Sequence, residues 1–172
     1  MLRTRQAAAA LLLLAPGLLG AQTQQAAPQQ IATGSYGHLH WRTIGPEGNR
    51  FSAVAGIPGD PQTYYVGAAS GGIWKTIDGG VHWKPVFDDQ LVQSIGSLAI
   101  APSDPKIVWA GTGEGNIRSH ISIGQGVYKS VDAGKSWKLM GLEKTGRIPR
   151  MVIDPRDPNT VLACALGTAY GP

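Results

Sequence analysis

The chain repeats itself, and this repetition constrains its fold more than any other feature of the sequence. A Pro-x-Asp-Pro element occurs at residues 58–61, 102–105 and 155–158, at intervals of 44 and 53 residues. Each copy lies between two short apolar runs. Proline fixes φ and aspartate hydrogen-bonds the nearby backbone, so each element predicts the turn of a β-hairpin.

A second element alternates with the first. Residues 74–83 (WKTIDGGVHW) and 128–137 (YKSVDAGKSW) lie 54 residues apart and share Lys, Asp, Gly and Trp. This pattern predicts another hairpin, in which Gly80 and Gly134 supply the positive φ of the turn. Two hairpins in series make four strands, and four-stranded units at intervals of roughly 40 to 50 residues are typical of propeller blades. We therefore expect an all-β fold, an incomplete β-propeller with about two and a half four-stranded blades.

The repeats also predict the domain boundaries. Blade one is expected at residues 50–86, blade two at 94–140 and a half blade at 147–172, within a partial propeller of residues 38–172. Blades in a repeat array stabilise one another, so the half blade should expose apolar surface. The remaining propeller blades are accordingly expected as partners, and the chain as a fragment of a longer protein.

The N-terminus predicts export. Arg3 and Arg5 precede an apolar stretch, which is followed by a cleavage site with small residues. Residues 1–21 are therefore interpreted as a signal peptide cleaved after Ala21. The apolar stretch is too short for a comfortable membrane span, so no membrane anchor is expected. Residues 22–37 are rich in Gln and Ala and predict a flexible leader. The predicted location is secreted or periplasmic.

Charge and metal-ligand content exclude several classes of function. The net charge is +4, without a run of Lys or Arg, so nucleic acid is not an expected partner. His38 and His40 lack the further ligands of a metal site. No metal and no cofactor are predicted.

The one cysteine, Cys164, aligns with Gly67 and Gly111 in the repeat. These positions lie on a predicted strand and take only small side chains. The alignment therefore predicts a buried, inert thiol rather than a reactive one.

The pattern [S/T]-x-D-x-G-x-x-W at residues 76–83 and 130–137 resembles the Asp box, also called the bacterial neuraminidase repeat. The surrounding sequence, including WRTIGP and SIGSLAIAPSDPKIVWAGTGE, resembles large exported bacterial proteins. The N-terminal half of those proteins is similar to the sortilin (VPS10-type) propeller, and they are often labelled glycosyl-hydrolase-like. The resemblance implies a structural box, in which a buried Asp accepts backbone N–H bonds and the Trp packs across its hairpin. The residues with this implied role are Thr76, Asp78, Gly80, Trp83, Ser130, Asp132, Gly134 and Trp137.

The resemblance leaves two functions open. Asp78 and Asp132 occupy equivalent places in different blades, so they should not converge, and no catalytic residue is assigned. The tripeptide at 147–149 matches the Arg-Ile-Pro of sialidases without recognisable companions. Ala69 stands where similar xyloglucanases have a catalytic Asp, and alanine cannot transfer a proton. The leading interpretation is a noncatalytic binding or scaffold module for a peptide or glycan. The alternative is a sialidase- or xyloglucanase-like glycoside hydrolase with its catalytic residues outside this fragment.

One loop is singled out by its length. Between the Asp of the first element and the Asp of the second, blade two has ten residues more than blade one, and they lie between Gly113 and Gly126. This link should emerge on the face opposite the Asp turns, and polar loops on a rigid scaffold commonly bind ligands. The candidate ligand-binding residues are Glu114, Asn116, Arg118 and His120.

Overall fold

The computed structural model describes residues 37, 45–46, 50–116 and 119–167. The predicted signal peptide, the leader apart from Gly37, both N-terminal histidines and Arg118 lie outside the described residues. The predictions made for them stay predictions.

Ten antiparallel strands form three sheets, and the described residues contain no helix. The first sheet has the order β1-β2-β3-β4, the second β5-β6-β7-β8, and the third pairs β9 with β10. The strands are β1 (Phe51–Gly56), β2 (Tyr64–Ala68), β3 (Ile73–Thr76), β4 (Lys84–Pro85), β5 (Ile95–Ala101), β6 (Asp104–Thr112), β7 (Val127–Ser130), β8 (Lys138–Gly141), β9 (Arg147–Ile153) and β10 (Val161–Leu166). The all-β class and the incomplete propeller of four-stranded blades are thus confirmed.

The Pro-x-Asp-Pro turns form as their chemistry predicts. In each copy the Asp Oδ1 atom accepts the backbone N–H two residues later, at 2.8 Å for Asp60, 3.0 Å for Asp104 and 2.9 Å for Asp157. Each bond closes a local turn, so the hairpin needs no contact from elsewhere in the chain to change direction.

The sheets stack face to face on two hydrophobic clusters. Neighbouring residues of a strand point to opposite faces, so Val108 and Ala110 face the first sheet while Trp109 faces the third. We call the contact of the first and second sheets the first interface; its buried residues are Tyr65, Ile73, Phe87, Val92, Ile95, Val108, Ala110 and Tyr128. We call the contact of the second and third sheets the second interface; its buried residues are Ala101, Trp109, Val127, Ile148, Met151 and Ile153.

Glycine is required where the sheets approach most closely. A Cβ on Gly67 would lie 2.4 Å from Cγ2 of Ile95, and one on Gly111 would lie 2.6 Å from Cγ2 of Ile148. In the third sheet the equivalent residue is Cys164, and its side chain is exposed. The prediction of a buried thiol is therefore wrong, because the small-residue slot is made by the next sheet and no described sheet covers this one.

Candidate functional site

The connections of the sheets lie at two opposite ends. Links between the first and second strands and between the third and fourth strands emerge at one end, which we call the turn face. Links from the second to the third strand, and from one sheet to the next, emerge at the other end, the loop face. The turn face carries the Asp78 turn (residues 76–83) and the Asp132 turn (residues 130–137). The long loop 113–126 lies on the loop face, where the sequence predicts it.

The Asp78 turn is closed by its own side chains. The Thr76 hydroxyl donates to Oδ1 of Asp78 at 2.8 Å and accepts the N–H of Gly80 at 2.9 Å. Asp78 Oδ1 also accepts the N–H of His82 at 2.9 Å, and Oδ2 lies 2.7 Å from the His82 ring nitrogen Nδ1. The Thr76 hydroxyl and both carboxylate oxygens of Asp78 are thus used within the turn.

The Asp132 turn repeats this geometry. The Ser130 hydroxyl donates to Oδ1 of Asp132 at 2.8 Å and accepts the N–H of Gly134 at 2.8 Å. Ser136 takes the place of the histidine and donates its N–H to Oδ1 at 2.9 Å and its hydroxyl to Oδ2 at 2.5 Å. Two different sequences therefore build the same turn.

The buried member of each turn is the hydroxyl residue. Thr76 and Ser130 are each 1% exposed, whereas 37% of the Asp78 side chain is exposed. This corrects the expectation of a buried Asp. The carboxylate lies at the surface of the turn and accepts a backbone N–H there. The buried hydroxyl accepts another backbone N–H of the same turn.

Both turn carboxylates are held in the ionised form. The hydroxyl and then the backbone N–H of Ser136 lower the pKa of Asp132 to about 2. The backbone N–H of His82, followed by its side chain, holds the pKa of Asp78 well below the usual range. A general acid must carry a proton near the working pH, so neither residue is suited to that role at neutral pH.

The two motif tryptophans do different things. Trp83 donates its indole N–H to the carbonyl of Gly80 in its own turn at 3.0 Å. Trp137 instead donates to the carbonyl of Val86 in the first sheet at 2.7 Å, and its ring meets Phe87 edge to face at 5.2 Å. Trp137 therefore belongs to the first interface, while its ring also lies 3.8 Å from a Cβ placed on Gly134 of its own turn.

The long loop is fixed to the starts of two strands. Its Gly113 N–H donates to the carbonyl of Ser94 at 2.8 Å, just before β5. Its Gly124 N–H donates to the carbonyl of Gly146 at 2.7 Å, just before β9. Ser94 also donates its hydroxyl to the carbonyl of Ser122 at 3.1 Å. These bonds order both ends of the loop against the scaffold.

The structure divides the four candidate ligand-binding residues. Asn116 and His120 are exposed on the loop face, whereas Glu114 is only 4% exposed and lies at the base of the loop. The Glu114 N–H donates to the carbonyl of Ser122 at 3.0 Å. Arg118 lies outside the described residues. The described members therefore comprise two surface side chains and one buried carboxylate rather than one exposed cluster.

A groove that the sequence did not indicate runs along the first strands of all three sheets. Its cavity of about 330 Å³ has one ionisable side chain among its lining residues, that of Arg150. The lining residues are Ser52, Ala53, Val54, Gly96, Ser97, Leu98, Pro149, Arg150 and Met151. The repeat alignment could have indicated Arg150, because Arg150 pairs with Cys164 in the same register in which Ser97 pairs with Gly111.

Arg147, from the Arg-Ile-Pro tripeptide, is a buried cation. It is 9% exposed, its Nε donates to the carbonyl of Gly167 at 3.2 Å, and its Nη1 has no hydrogen-bond partner among the residues that the structure describes. Ile148 beside it is fully buried in the second interface. The tripeptide therefore begins a packed strand, and its arginine is not presented at the surface.

The described residues offer little for acid–base or metal chemistry. Six of their ten acidic residues accept backbone N–H bonds in turns: Asp60, Asp78, Asp104, Asp132, Asp154 and Asp157. Ala69 is buried and donates its N–H to the carbonyl of Arg50 at 2.9 Å. Within the described ranges, no three His, Cys, Asp or Glu side chains are grouped to hold a metal ion. The same part of the chain has no helix long and apolar enough to cross a membrane.

Comparison with solved structures finds GH74 enzymes that are similar in fold to part of this chain. An ancestral GH74 enzyme superposes on 69% of this chain with 25% sequence identity and a TM-score of 0.55. The GH74 enzyme of Niastella koreensis superposes on 66% with 18% identity and a TM-score of 0.51. A GH74 xyloglucanase from Xanthomonas campestris superposes on 67% with 19% identity and a TM-score of 0.46.

This chain spans a small part of those proteins, covering 17%, 17% and 20% of their respective chains. No protein-family model matches the sequence. No curated protein matches it either.

Proposed function

We propose that this chain is part of an exported, noncatalytic β-propeller of the Asp-box type that binds a peptide or glycan through its loop face. The proposal rests on the different roles of the polar side chains on the turn face and on the loop face. On the turn face, the carboxylates are committed to closing turns. On the loop face, Asn116 and His120 are exposed on a loop with both ends tied to the scaffold.

A glycan suits this arrangement because an anchored backbone presents polar side chains with little loss of entropy on binding. The likeness to an ancestral GH74 enzyme, at 25% identity, supports a carbohydrate rather than a peptide as the first ligand to test. Export, the sortilin-like relationship and the contribution of Arg118 belong to the same proposal, on the strength of the sequence patterns given above.

The alternative is a glycoside hydrolase in which other blades supply the catalytic carboxylates. The GH74 neighbours favour it, since the names of those proteins describe enzymes. Ala69 argues against this alternative. This buried residue has no ionisable group, and it takes the position of the catalytic Asp in the similar xyloglucanases. Hydrolysis would require two suitably spaced carboxyl groups.

The test measures binding and turnover with the same polysaccharide. Purified protein is titrated by calorimetry with soluble xyloglucan and, separately, with a randomised peptide pool. An R118A/H120A variant should reduce xyloglucan affinity by about tenfold or more without changing the melting temperature. Ser136→Ala on the turn face is the matched control and should leave affinity unchanged.

Reducing-sugar release from the same xyloglucan, measured with the longer protein that contains the remaining blades, separates the two functions. No release is expected. Release by that protein would overturn the noncatalytic proposal, and unchanged affinity in a folded R118A/H120A variant would remove the loop from it.

A further inference from the structure

The last two strands of each four-stranded sheet carry two lysines directly opposite each other. Lys75 of β3 pairs with Lys84 of β4 in the first sheet, and Lys129 of β7 pairs with Lys138 of β8 in the second. Direct cross-strand partners lie on the same face of a sheet, and two like charges in such a pair are destabilising. This unfavourable pair is nevertheless built twice, at equivalent places of the repeat.

One lysine of each pair is held in place by the neighbouring sheet. Nζ of Lys75 donates to the carbonyl of Ala133 at 2.9 Å, and Nζ of Lys129 donates to Oδ1 of Asn159 at 2.5 Å. Both lysines are half-buried, and their ammonium groups lie over aromatic rings, at 5.1 Å and 5.0 Å from the ring centroids. These two positive charges are therefore fixed.

The other lysine of each pair is exposed. Within the part of the chain that the structure describes, the side chains of Lys84 and Lys138 make no hydrogen bond or ion pair. A lysine on an edge strand protects that edge from pairing with other chains, but this role does not require a second lysine directly opposite. Each sheet thus presents a fixed and a free ammonium group side by side.

A cleft adjoins each lysine pair. The cleft of the first sheet has a volume of about 430 Å³ and is lined by Lys75, Ile77, Asp78, His82, Lys84 and Val86. The cleft of the second sheet has a volume of about 410 Å³ and is lined by Lys129, Val131, Ser136, Trp137, Lys138 and Met140. Five of the six lining positions coincide when the repeats are aligned, so the clefts are two copies of one feature.

The cleft of the first sheet is open although its neighbouring sheet is complete. The hairpin of β7 and β8 packs beside it, and the Trp137 indole N–H donates to the carbonyl of Val86 at 2.7 Å. Docking of a neighbouring hairpin therefore does not fill this cleft.

The charges around the first cleft favour an anion. Burial, and after it the ammonium of Lys135, lowers the pKa of Lys75. The one carboxylate in the lining, that of Asp78, already accepts the N–H of His82 and lies 2.7 Å from the ring of that histidine. An anion placed between Lys75 and Lys84 would relieve the repulsion between their ammonium groups.

We infer that the two clefts bind an acidic polysaccharide, with a carboxylate of the polymer between the two lysines of each pair. Lysine binds anions as a point charge, and Ile77 and Val86 offer apolar surface to the C–H face of a sugar ring. The repetition of the cleft suits a polymer with the same charged group on each unit. An extended peptide suits the first sheet less well, because β4 has only two residues and Pro85 has no N–H to pair.

The test titrates the purified chain with polygalacturonate, and with neutral galactan as the uncharged comparison. Polygalacturonate should bind and galactan should not. The affinity should fall as the salt concentration is raised from about 0.01 M to about 1 M, because the Debye length shortens from roughly 30 Å to roughly 3 Å. The polymer should bind at least about tenfold more tightly than trigalacturonate, because it can occupy both clefts at once.

Three single variants separate the clefts from the charge of the whole chain. Lys84→Gln and Lys138→Gln each remove one free ammonium group and should weaken polymer binding at least about threefold, and the double variant at least about tenfold. Lys144→Gln removes an exposed lysine from a link on the loop face and should leave the affinity unchanged. None of the three should lower the melting temperature, and Lys84→Gln removes a like-charge pair.

Four results would overturn the inference. The first is equal binding of galactan, and the second is unchanged affinity in a folded K84Q/K138Q variant. The third is an equal loss of affinity in Lys84→Gln and Lys144→Gln, which would show attraction to the net charge alone. The fourth is tighter binding of polyglutamate or of phosphatidylglycerol vesicles than of polygalacturonate through the same lysines, which would assign the clefts to an acidic peptide or to a lipid surface.

Discussion

The first interface joins two complete four-stranded sheets, whereas the second joins a complete sheet to a two-stranded one. Phe87 in the first interface meets the rings of both Tyr128 and Trp137 edge to face, with centroids 5.2 Å apart. On the far side of the third sheet, Leu162 and Cys164 occupy the strand positions that Trp109 and Gly111 have in the second sheet, and both are exposed. Burial in this molecule is therefore conferred by the neighbouring sheet, and identical strand patterns give a core in one place and a surface in another.

The largest expected effect is in the first interface. Phe87→Ala should lower the free energy of unfolding by about 3 to 5 kcal/mol, because it removes a fully buried ring and leaves a cavity. Leu162→Ala, at an exposed position of the third sheet, should change it by less than about 0.5 kcal/mol. Urea denaturation of both variants measures the contrast. Similar costs would show that the third sheet is covered in solution.

The next effect tests close approach of the sheets. A Cβ on Gly111 would lie 2.4 Å from the Ser97 hydroxyl and 2.6 Å from Cγ2 of Ile148. Gly111→Ala should therefore destabilise the protein by about 1 to 3 kcal/mol through overpacking. Cys164→Ala should be neutral within about 0.5 kcal/mol, and the native thiol should react readily with iodoacetamide. A protected thiol would contradict the exposed slot.

The two Asp turns offer a finer comparison. Their internal bonds agree closely, but only the Asp132 turn also accepts the Tyr65 and Lys75 donors, through Ala133. Ser130→Ala and Thr76→Val each remove a buried hydroxyl and should cost about 1 to 3 kcal/mol, with the larger loss at Ser130. Chemical denaturation of the pair decides this. A larger loss at Thr76 would mean that the contact between sheets does not depend on the turn.

The smallest effect concerns pH. Hydrogen bonds lower the pKa of Asp132 from its ordinary 3.8 to about 2. A depressed folded-state pKa contributes stability that is present above the unfolded value and is lost as the pH falls toward the folded one. Thermal melts should therefore decline between pH 4 and pH 2, the interval between those two values. Asp132→Asn should decline less steeply, and an unchanged slope would contradict the pKa assignment.

The sequence predicted the features that local chemistry determines. Asp60 and Asp104 close their turns by accepting the backbone N–H two residues later, and these bonds need no distant partner. The hydroxyl and carboxylate pairs of the Asp turns are equally local. For that reason the hairpins, their repeat and the all-β class followed from the residues alone.

What the sequence did not predict depends on a neighbouring sheet or strand. The indole N–H of Trp137 donates to the carbonyl of Val86 beside the first sheet, a bond that its own hairpin does not supply. Glu114 and Arg147 carry charges that favour exposure, yet both are buried where the long loop and β9 begin. Cys164 was aligned correctly, but its environment was inferred from sheets that have a neighbour. Register transfers between repeats, whereas burial does not.

Among the residues that the structure describes, one indole hydrogen bond crosses between the sheets at each interface. Trp137 donates to Val86 across the first, and Trp109 donates to the carbonyl of Pro158 across the second at 3.0 Å. Separation of either pair of sheets would move a single chromophore from a hydrogen-bonded apolar site into water. The chain has five tryptophans, so one variant that keeps only Trp137 and one that keeps only Trp109, with phenylalanine at the other four, would each report on one interface. The order in which the sheets separate could then be followed optically.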